Sequence, residues 1–509
     1  MTELLINGTS LTIEQVVKVS EDPNIKVRID PTAIPNIQKA ADAVQRFIQE
    51  GRIAYGITTG FGAFKDKLIS VDDVEKLQEN IILSHAVGVG PNLDDRVVRA
   101  MMLIRANTLA HGHSGIRVKT IELLLALLNH NILPIIPSKG SLGASGDLAP
   151  LAHMSLPLLG VGKVKFQGQI MDAKDAMRKV GLDPIKLAAK EGLALTNGTT
   201  LMTALGALNV HRAEILMQTA NCAGALTLEA QNGTMRAFMP QIHRSRPQNC
   251  QAETAASMRE LLQGSQFTRP DNSLNVQDAY TLRCIPQVHG AVANTIDFVR
   301  SVIQTELNSV TDNPLMFFEE DGSVEIISGG NFHGEPLALA LDYLAIAIAD
   351  LGNMSERRIA KLIDNKTELY PSFLAAKGGL NSGFMLLQYT AAALASENKT
   401  LAHPSSLDSI PSSGNVEDHV SMGANAALHC AQVIENVSTI VAIEMMSAAQ
   451  AIDFRLLEQP DLKQGKGTSV AMRKIRQILP FFPEDDFFQP ALTKLVSALR
   501  AGEFCPKNN

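Results

Sequence analysis

The chain has 509 residues, 45% hydrophobic and 19% charged, so it can bury a large core and carries fewer charges than the roughly 25% usual for a globular protein. Its 52 acidic and 45 basic residues are mixed along the chain and leave a net charge of -7, which argues against nucleic acid as a partner. So low a charge content predicts burial against further copies of the chain.

The N-terminal stretch MTELLINGTSLTIEQVV has neither the basic start nor the apolar run of a signal peptide. Cys222, Cys250, Cys284, Cys430 and Cys505 lack CxxC spacing and are odd in number, so reduced thiols and a cytoplasmic setting are expected. The glycine-bearing loop YGITTGFGAF, starting at Tyr55, lacks the Lys-Ser/Thr ending of a phosphate loop. In SVDDVEKLQENIILSHAVG a capping box from Ser70 to Asp73 precedes apolar Val71, Val74, Leu77 and Ile81, and the stripe runs on to His85. A lone histidine there reads as a satisfied core residue or as one facing a ligand. Periodicity predicts further helices over 97–130, 200–230, 285–308, 336–363, 383–401 and 420–453.

His111 and His113 are two apart in the first of these, off any common helix face, and no HExxH or Cys/His cluster exists, so no metal is expected. KVKFQGQIMDA and LMFFEEDGSVEIIS place Gln167-Gly168 and Asp321-Gly322 between alternating apolar positions, predicting two short hairpins. PLALALDYLAIAIADLG and IVAIEMMSAAQAIDF are interrupted by Asp342, Asp350 and Glu444, so they read as buried bundle helices and not as membrane spans.

Three polar constellations stand out. In KGSLGASGDLAPLAH a turn with positive φ explains Gly143 or Gly146, and Asp147 can cap a helix, but neither explains the trio Ala144-Ser145-Gly146. A glycine nitrogen has no Cβ to hinder attack on the carbonyl two residues back, and the Ser145 hydroxyl can leave as water, so ring closure here would yield an electrophile. In VQDAYTLRCIPQVHG a helix would put Gln277, Tyr280, Arg283 and Gln287 on one face, either solvated or a site with an Arg to fork a carboxylate and a Tyr for proton transfer. In SSGNVEDHVSMG, Glu417 and Asp418 follow the capping residue Asn415 and can complement a helix dipole.

GSLGASGDLAPLAH resembles the signature of the aromatic amino acid ammonia-lyases. YGITTGFG, LSHAVGVG, EGLALTNGT, VQDAYTLRCIPQVHG, ELNSVTDNPL, ISGGNFHGEP, SERRI, GGLNSGFM, ASENKTLAHP and EDHVSM follow in that family's order, so the likeness runs nearly end to end. The resemblance implies a mainly α fold, a fumarase/aspartase-like bundle of long central helices with a few short hairpins. Residues 1–200 would form the N-terminal region with the prosthetic-group loop, and 201–509 the long-helix bundle and C-terminal helices, together one folded unit. It further implies a homotetramer with shared active sites and no membrane partner.

The same resemblance implies that Ala144-Ser145-Gly146 cyclise autocatalytically to 4-methylidene-imidazol-5-one, with Asp147 aiding the dehydration and no dissociable cofactor or metal. The substrate amine would add to the methylidene carbon derived from Ser145, with Tyr55 as base, Arg283 on the substrate carboxylate and Asn197 on the prosthetic group and substrate. Tyr280, Gln277 and Phe332 match further active-site positions. His85 with Glu417 suits an imidazole ring, which implies elimination of ammonia from L-histidine to give urocanate; the alternative is tyrosine or phenylalanine as substrate, or an aminomutase with the same electrophile. Thr58 and Val416 depart from the commonest residues at their positions. Retention of Tyr55, Ser145, Asn197, Tyr280 and Arg283 together argues against a non-catalytic relative.

Overall fold

The computed structural model describes residues 2–52, 57, 59–60, 67, 69–70, 73–270, 276–364, 366 and 368–505. These are mainly α-helical, and no described strand exceeds four residues. Two compact units are each drawn from three stretches: 1–211, 300–341 and 404–428 form the first, and 212–299, 342–403 and 429–509 the second. Residues 1–200 lie wholly within the first unit, whereas 201–509 contributes to both.

Four long helices, Thr200–Ala230, Ile285–Glu306, Glu335–Asp364 and Gly423–Glu458, make the central bundle, and each has one end in either unit. They match the predicted stretches closely because long, nearly uncharged runs bury most of their circumference and leave few competing readings. Glu335–Asp364 and Gly423–Glu458 are long and apolar enough to cross a membrane, with mean hydropathy of 1.5 and 1.4 over 18 residues, yet 67% of each window is buried inside the fold. Glu444 shows how their interior charges are met: it pairs with Arg358 Nε at 2.6 Å and accepts from Thr227 Oγ1 at 2.7 Å and Ser355 Oγ at 2.6 Å. Both are core helices.

In the first unit, the stretch predicted as one helix over 97–130 is two, Asp95–Ala110 and Val118–Asn129. Gly112 and Gly115 cause the break: both have positive φ (+81° and +71°), and a Cβ at Gly112 would lie 2.7 Å from the Asn36 carbonyl carbon. His111 and His113 therefore sit in a loop, where they bond to the carbonyls of Asn308 (3.0 Å) and Met316 (2.7 Å). The Ser70 to Asp73 contact exists, Ser70 Oγ lying 2.6 Å from Asp73 Oδ2, but the helix it precedes starts at Val74 and ends at His85. Both predicted hairpins form, Lys163–Phe166 with Gln169–Asp172 and Leu315–Phe318 with Val324–Ile327.

Two pairings position the chain around Ser145. Val89–Asn92 runs antiparallel to Pro137–Lys139, with Val89 opposite Lys139, which holds the chain leaving His85 against the chain entering the turn at 140–147. An isolated parallel bridge then joins Gly146 to Gly198. In the second unit, the expected polar helix at 277–287 is only Tyr280–Arg283, separated at Cys284 from Ile285–Glu306, and Gln277 precedes it. A proline at position 286 removes one amide donor just where the helices would join, so the single helix is broken at Cys284, yet Gln277, Arg283 and Gln287 still line one cavity.

Replacing Glu444 by Leu strands the fully buried Arg358 guanidinium, and the expected loss is about 3–5 kcal/mol of unfolding free energy. Urea denaturation of the variant beside the parent measures it, and a change under about 1 kcal/mol would contradict the pairing.

Candidate active site

The Ala144-Ser145-Gly146 turn is held from three directions. Gly143 and Gly146 both have positive φ (+72° and +73°), and a Cβ at Gly146 would lie 2.1 Å from the Gly198 carbonyl oxygen, so only glycine fits there. Gly198 answers this close approach with two bonds: its carbonyl accepts from Asp147 N at 2.7 Å, and its N–H donates to the Ser145 carbonyl at 3.4 Å. Asn197 Nδ2 donates to the same Ser145 oxygen at 2.9 Å. Behind the turn, Gly143 O accepts from Gly334 N and Ser421 Oγ, both at 3.1 Å, and Leu142 O accepts from Met422 N at 2.8 Å.

Asp147 is fully buried and accepts from Ser141 Oγ (2.8 Å), Leu201 N (2.8 Å) and Met202 N (3.1 Å). The two amides are the unpaired N-terminal donors of Thr200–Ala230, so the carboxylate caps that helix from a distant part of the chain. Burial pushes its pKa up to about 6 against the pull of these donors, which leaves it ionised at neutral pH.

In front of the turn is a cavity of about 880 Å³, lined among others by Ser145, Asn197, His85, Phe332 and Glu417. Ser145 Oγ donates to Glu417 Oε1 at 2.8 Å, and Ser412 Oγ donates to Glu417 Oε2 at 2.7 Å. Paired backbone bonds between Ser412 and Glu417 (3.0 and 3.3 Å) close a small loop that aims the carboxylate inward. The reading of Glu417 and Asp418 as helix caps is thereby corrected: the following helix begins only at Gly423. His85, the last residue of its helix, is half-buried with Nδ1 3.0 Å from Ser84 Oγ. Burial lowers its pKa, while the Ile81 carbonyl and the Glu417 carboxylate pull upward, so the ring is neutral at pH 7. Asn197 Oδ1 is buried and finds no partner among the described residues, an acceptor left for a ligand.

Gln277 and Arg283 line a different cavity, of about 750 Å³, in the second unit. There Arg283 Nε and Gln287 Oε1 are buried without partners among the described residues, and the Arg283 guanidinium lies 4.5 Å from the Tyr280 ring centroid. Tyr280 itself is 70% exposed. The first unit thus brings together Ala144, Ser145, Gly146, Asp147, Asn197, His85, Phe332 and Glu417; Gln277, Tyr280 and Arg283 belong to the second unit, and Tyr55 and Thr58 lie outside the described residues. Ser412 and Asn313 also border the first cavity and were not singled out from the sequence. Their only local signal was a short polar stretch, and their placement depends on loops closing across the chain.

The aromatic amino acid lyase family model matches residues 11–477. The chain is 56% identical over 506 residues to histidine ammonia-lyase of Chloroflexus aurantiacus, covering 98% of this chain and 97% of that one. Among solved structures it is similar to histidine ammonia-lyase from Trypanosoma cruzi, at 39% identity and TM-score 0.91 over 99% and 96% of the two chains. Tyrosine aminomutase from Streptomyces globisporus is as close in shape, at 37% identity and TM-score 0.92 over 99% and 97%.

Gly146→Ala puts a side chain onto the Gly198 carbonyl and forces the turn open. The expected result, by intact mass, is a chain of full translated mass beside a wild type lighter by the two waters of ring closure. Normal conversion in the alanine variant would contradict the fit.

Proposed function

Because the chain belongs to the aromatic amino acid lyase family and is a carbon–nitrogen lyase, we propose that it eliminates ammonia from L-histidine to give urocanate (trans-urocanic acid), the first step of histidine degradation. In this family Ala-Ser-Gly closes autocatalytically to 4-methylidene-imidazol-5-one, which supplies an electrophile that makes the substrate amine a leaving group without a dissociable cofactor. The residues present fit that group: Gly146 has no Cβ to block closure, and two N–H donors converge on the Ser145 carbonyl that becomes part of the ring.

The observation that carries the substrate reading is Glu417 and His85 lining the Ser145 cavity together. A neutral imidazole offers one N–H and one lone pair. An ionised Glu417 can only accept and a neutral His85 can donate, so the pair satisfies both ring nitrogens. When Ser145 loses its hydroxyl, Glu417 Oε1 also loses its 2.8 Å partner and is free to take the substrate N–H. A phenyl ring leaves both groups unpaired, and a phenol offers its donor and acceptor at one oxygen beyond the ring instead of at two separated ring atoms, a mismatch of the kind that hydrogen-bonding sites reject.

Elimination removes ammonia from Cα and a proton from Cβ that is not acidic, so a positioned base is required. Tyr55 has that role in this reading. Arg283 forks the substrate carboxylate, with Gln277 and Tyr280 beside it, Phe332 packs on the ring, and Asn197 Oδ1 accepts from the substrate ammonium. Asp147 aids the dehydration of Ser145. The low charge content and the family likeness support a homotetramer in which one copy supplies Gln277, Tyr280 and Arg283 to another's site. Five free thiols fit a cytoplasmic setting.

Incubation with L-histidine, L-tyrosine and L-phenylalanine separately is expected to give urocanate from the first alone; cinnamate or coumarate without urocanate sinks the assignment. Glu417→Gln is expected to lower kcat on L-histidine by roughly 100-fold or more with little change in melting temperature. For the shared site, Ser145→Ala and Arg283→Met chains should each be inactive alone and regain activity when co-expressed. A mixture as inactive as its parents returns both halves of the site to one chain.

A further inference from the structure

Arg105, Lys190 and Asp312 are buried in the first unit at 0%, 0% and 1% exposure and do not line the cavity in front of Ser145. Lys190 Nζ pairs with Asp312 Oδ2 at 2.8 Å, and Asp312 Oδ1 accepts from Asn313 N at 2.6 Å. Arg105 Nη2 donates to the Ala194 carbonyl, while its Nε and Nη1 have no partner among the described residues. Burial brings the Arg105 pKa down to about 10, so it is still a cation at neutral pH. Burial and the neighbouring Arg105 lower the Lys190 pKa while Asp312 holds it up, so two buried basic side chains share one carboxylate.

Where the guanidinium sits gives it a use. A Cβ at Gly198 would lie 2.7 Å from Arg105 Nη1 and 2.6 Å from Thr311 Oγ1, so the guanidinium is pressed directly on Gly198. Gly198 is the residue that donates to the Ser145 carbonyl and accepts from Asp147 N. We propose that Arg105 is an electrostatic positioning residue for formation of the prosthetic group, its buried guanidinium acting through Gly198 on the Ser145 carbonyl.

The covalent balance shows why that oxygen needs support. Gly146 N bonds to the Ala144 carbonyl carbon, and the Ala144 oxygen leaves as the first water with the displaced protons. Ser145 then loses its Cα proton and its Oγ as the second water, forming the Cα–Cβ double bond with no oxidant or reductant. When the Cα proton leaves, negative charge gathers on the Ser145 carbonyl oxygen, where Asn197 Nδ2 and Gly198 N point. A fixed positive charge behind these donors, itself buried, lowers the energy of that state.

The inference rests on ring closure at 144–146 and not on which amino acid is the substrate. Its readout is therefore mass and not turnover, so it fails or survives independently of the L-histidine assignment. Wild type, Arg105→Lys and Arg105→Gln chains made by cell-free translation are sampled over time by intact mass, with circular dichroism to confirm folding. Lysine keeps the charge and is expected to convert within a few-fold of wild type, whereas glutamine converts about 100-fold more slowly or not at all. A folded glutamine variant converting at the wild-type rate overturns the proposal, as do folded lysine and glutamine variants slowed equally. Should the glutamine variant fail to fold, Lys190→Met decides: it removes one basic group of the same cluster without touching Gly198, and conversion at the wild-type rate overturns the proposal.

Discussion

The buried carboxylate of Asp147 at the start of Thr200–Ala230 is the contact on which the site depends. A helix N-terminus offers unpaired amides and partial positive charge, and an anion placed there meets both needs. Here the anion comes from the residue directly after the Ala-Ser-Gly turn, so capping the helix fixes the turn against the bundle. The Gly146 to Gly198 bridge then removes its freedom to slide, because the space for a Cβ at Gly146 is already filled by the facing backbone. Reactive geometry in a loop is obtained by fastening the loop to the end of a long bundle helix.

That element needs its own register fixed, and interior charges do this. An apolar helix packed on apolar neighbours could shift by a turn at modest cost. Glu444, fully buried, takes hydrogen bonds from Arg358 and Ser355 and also from Thr227, which lies on the same helix whose N-terminus Asp147 caps. Such pairs add little net stability once desolvation is counted, but a shifted register leaves a buried charge unpaired and is strongly disfavoured. The few charged residues are thus not confined to the surface.

Local pattern made the long helices and both hairpins legible, since runs such as 200–230 have one dominant period and Gln167-Gly168 is a turn signal in itself. Local pattern also misled where one residue's conformation decided the outcome. Gly112 splits the helix read over 97–130 because Asn36, distant in sequence, occupies the space a side chain would need. Glu417 read as a cap because acidic residues after Asn415 suit a helix start, yet its carboxylate is turned by Ser412 toward Ser145. The turn chemistry at 144–146 was visible because it needs three particular residues in a row. Arg105 was invisible: inside an apolar stripe it resembles any helix-surface arginine, and only the folded chain shows it lying on Gly198.

Shape does not decide the substrate. A tyrosine aminomutase and a histidine ammonia-lyase match this chain with TM-scores of 0.92 and 0.91, so the backbone that builds the electrophile is common to reactions with different outcomes. Discrimination must then come from side chains that meet the ring. In the proposed site these are the Glu417 carboxylate and the His85 imidazole, two half-buried polar groups that suit two complementary ring atoms. Phe332, which lines the same cavity, offers an apolar face that would suit any aromatic ring and so would not discriminate among them in the proposed site. The choice rests on unsatisfied hydrogen bonds, where a missing partner costs more than a misplaced methylene.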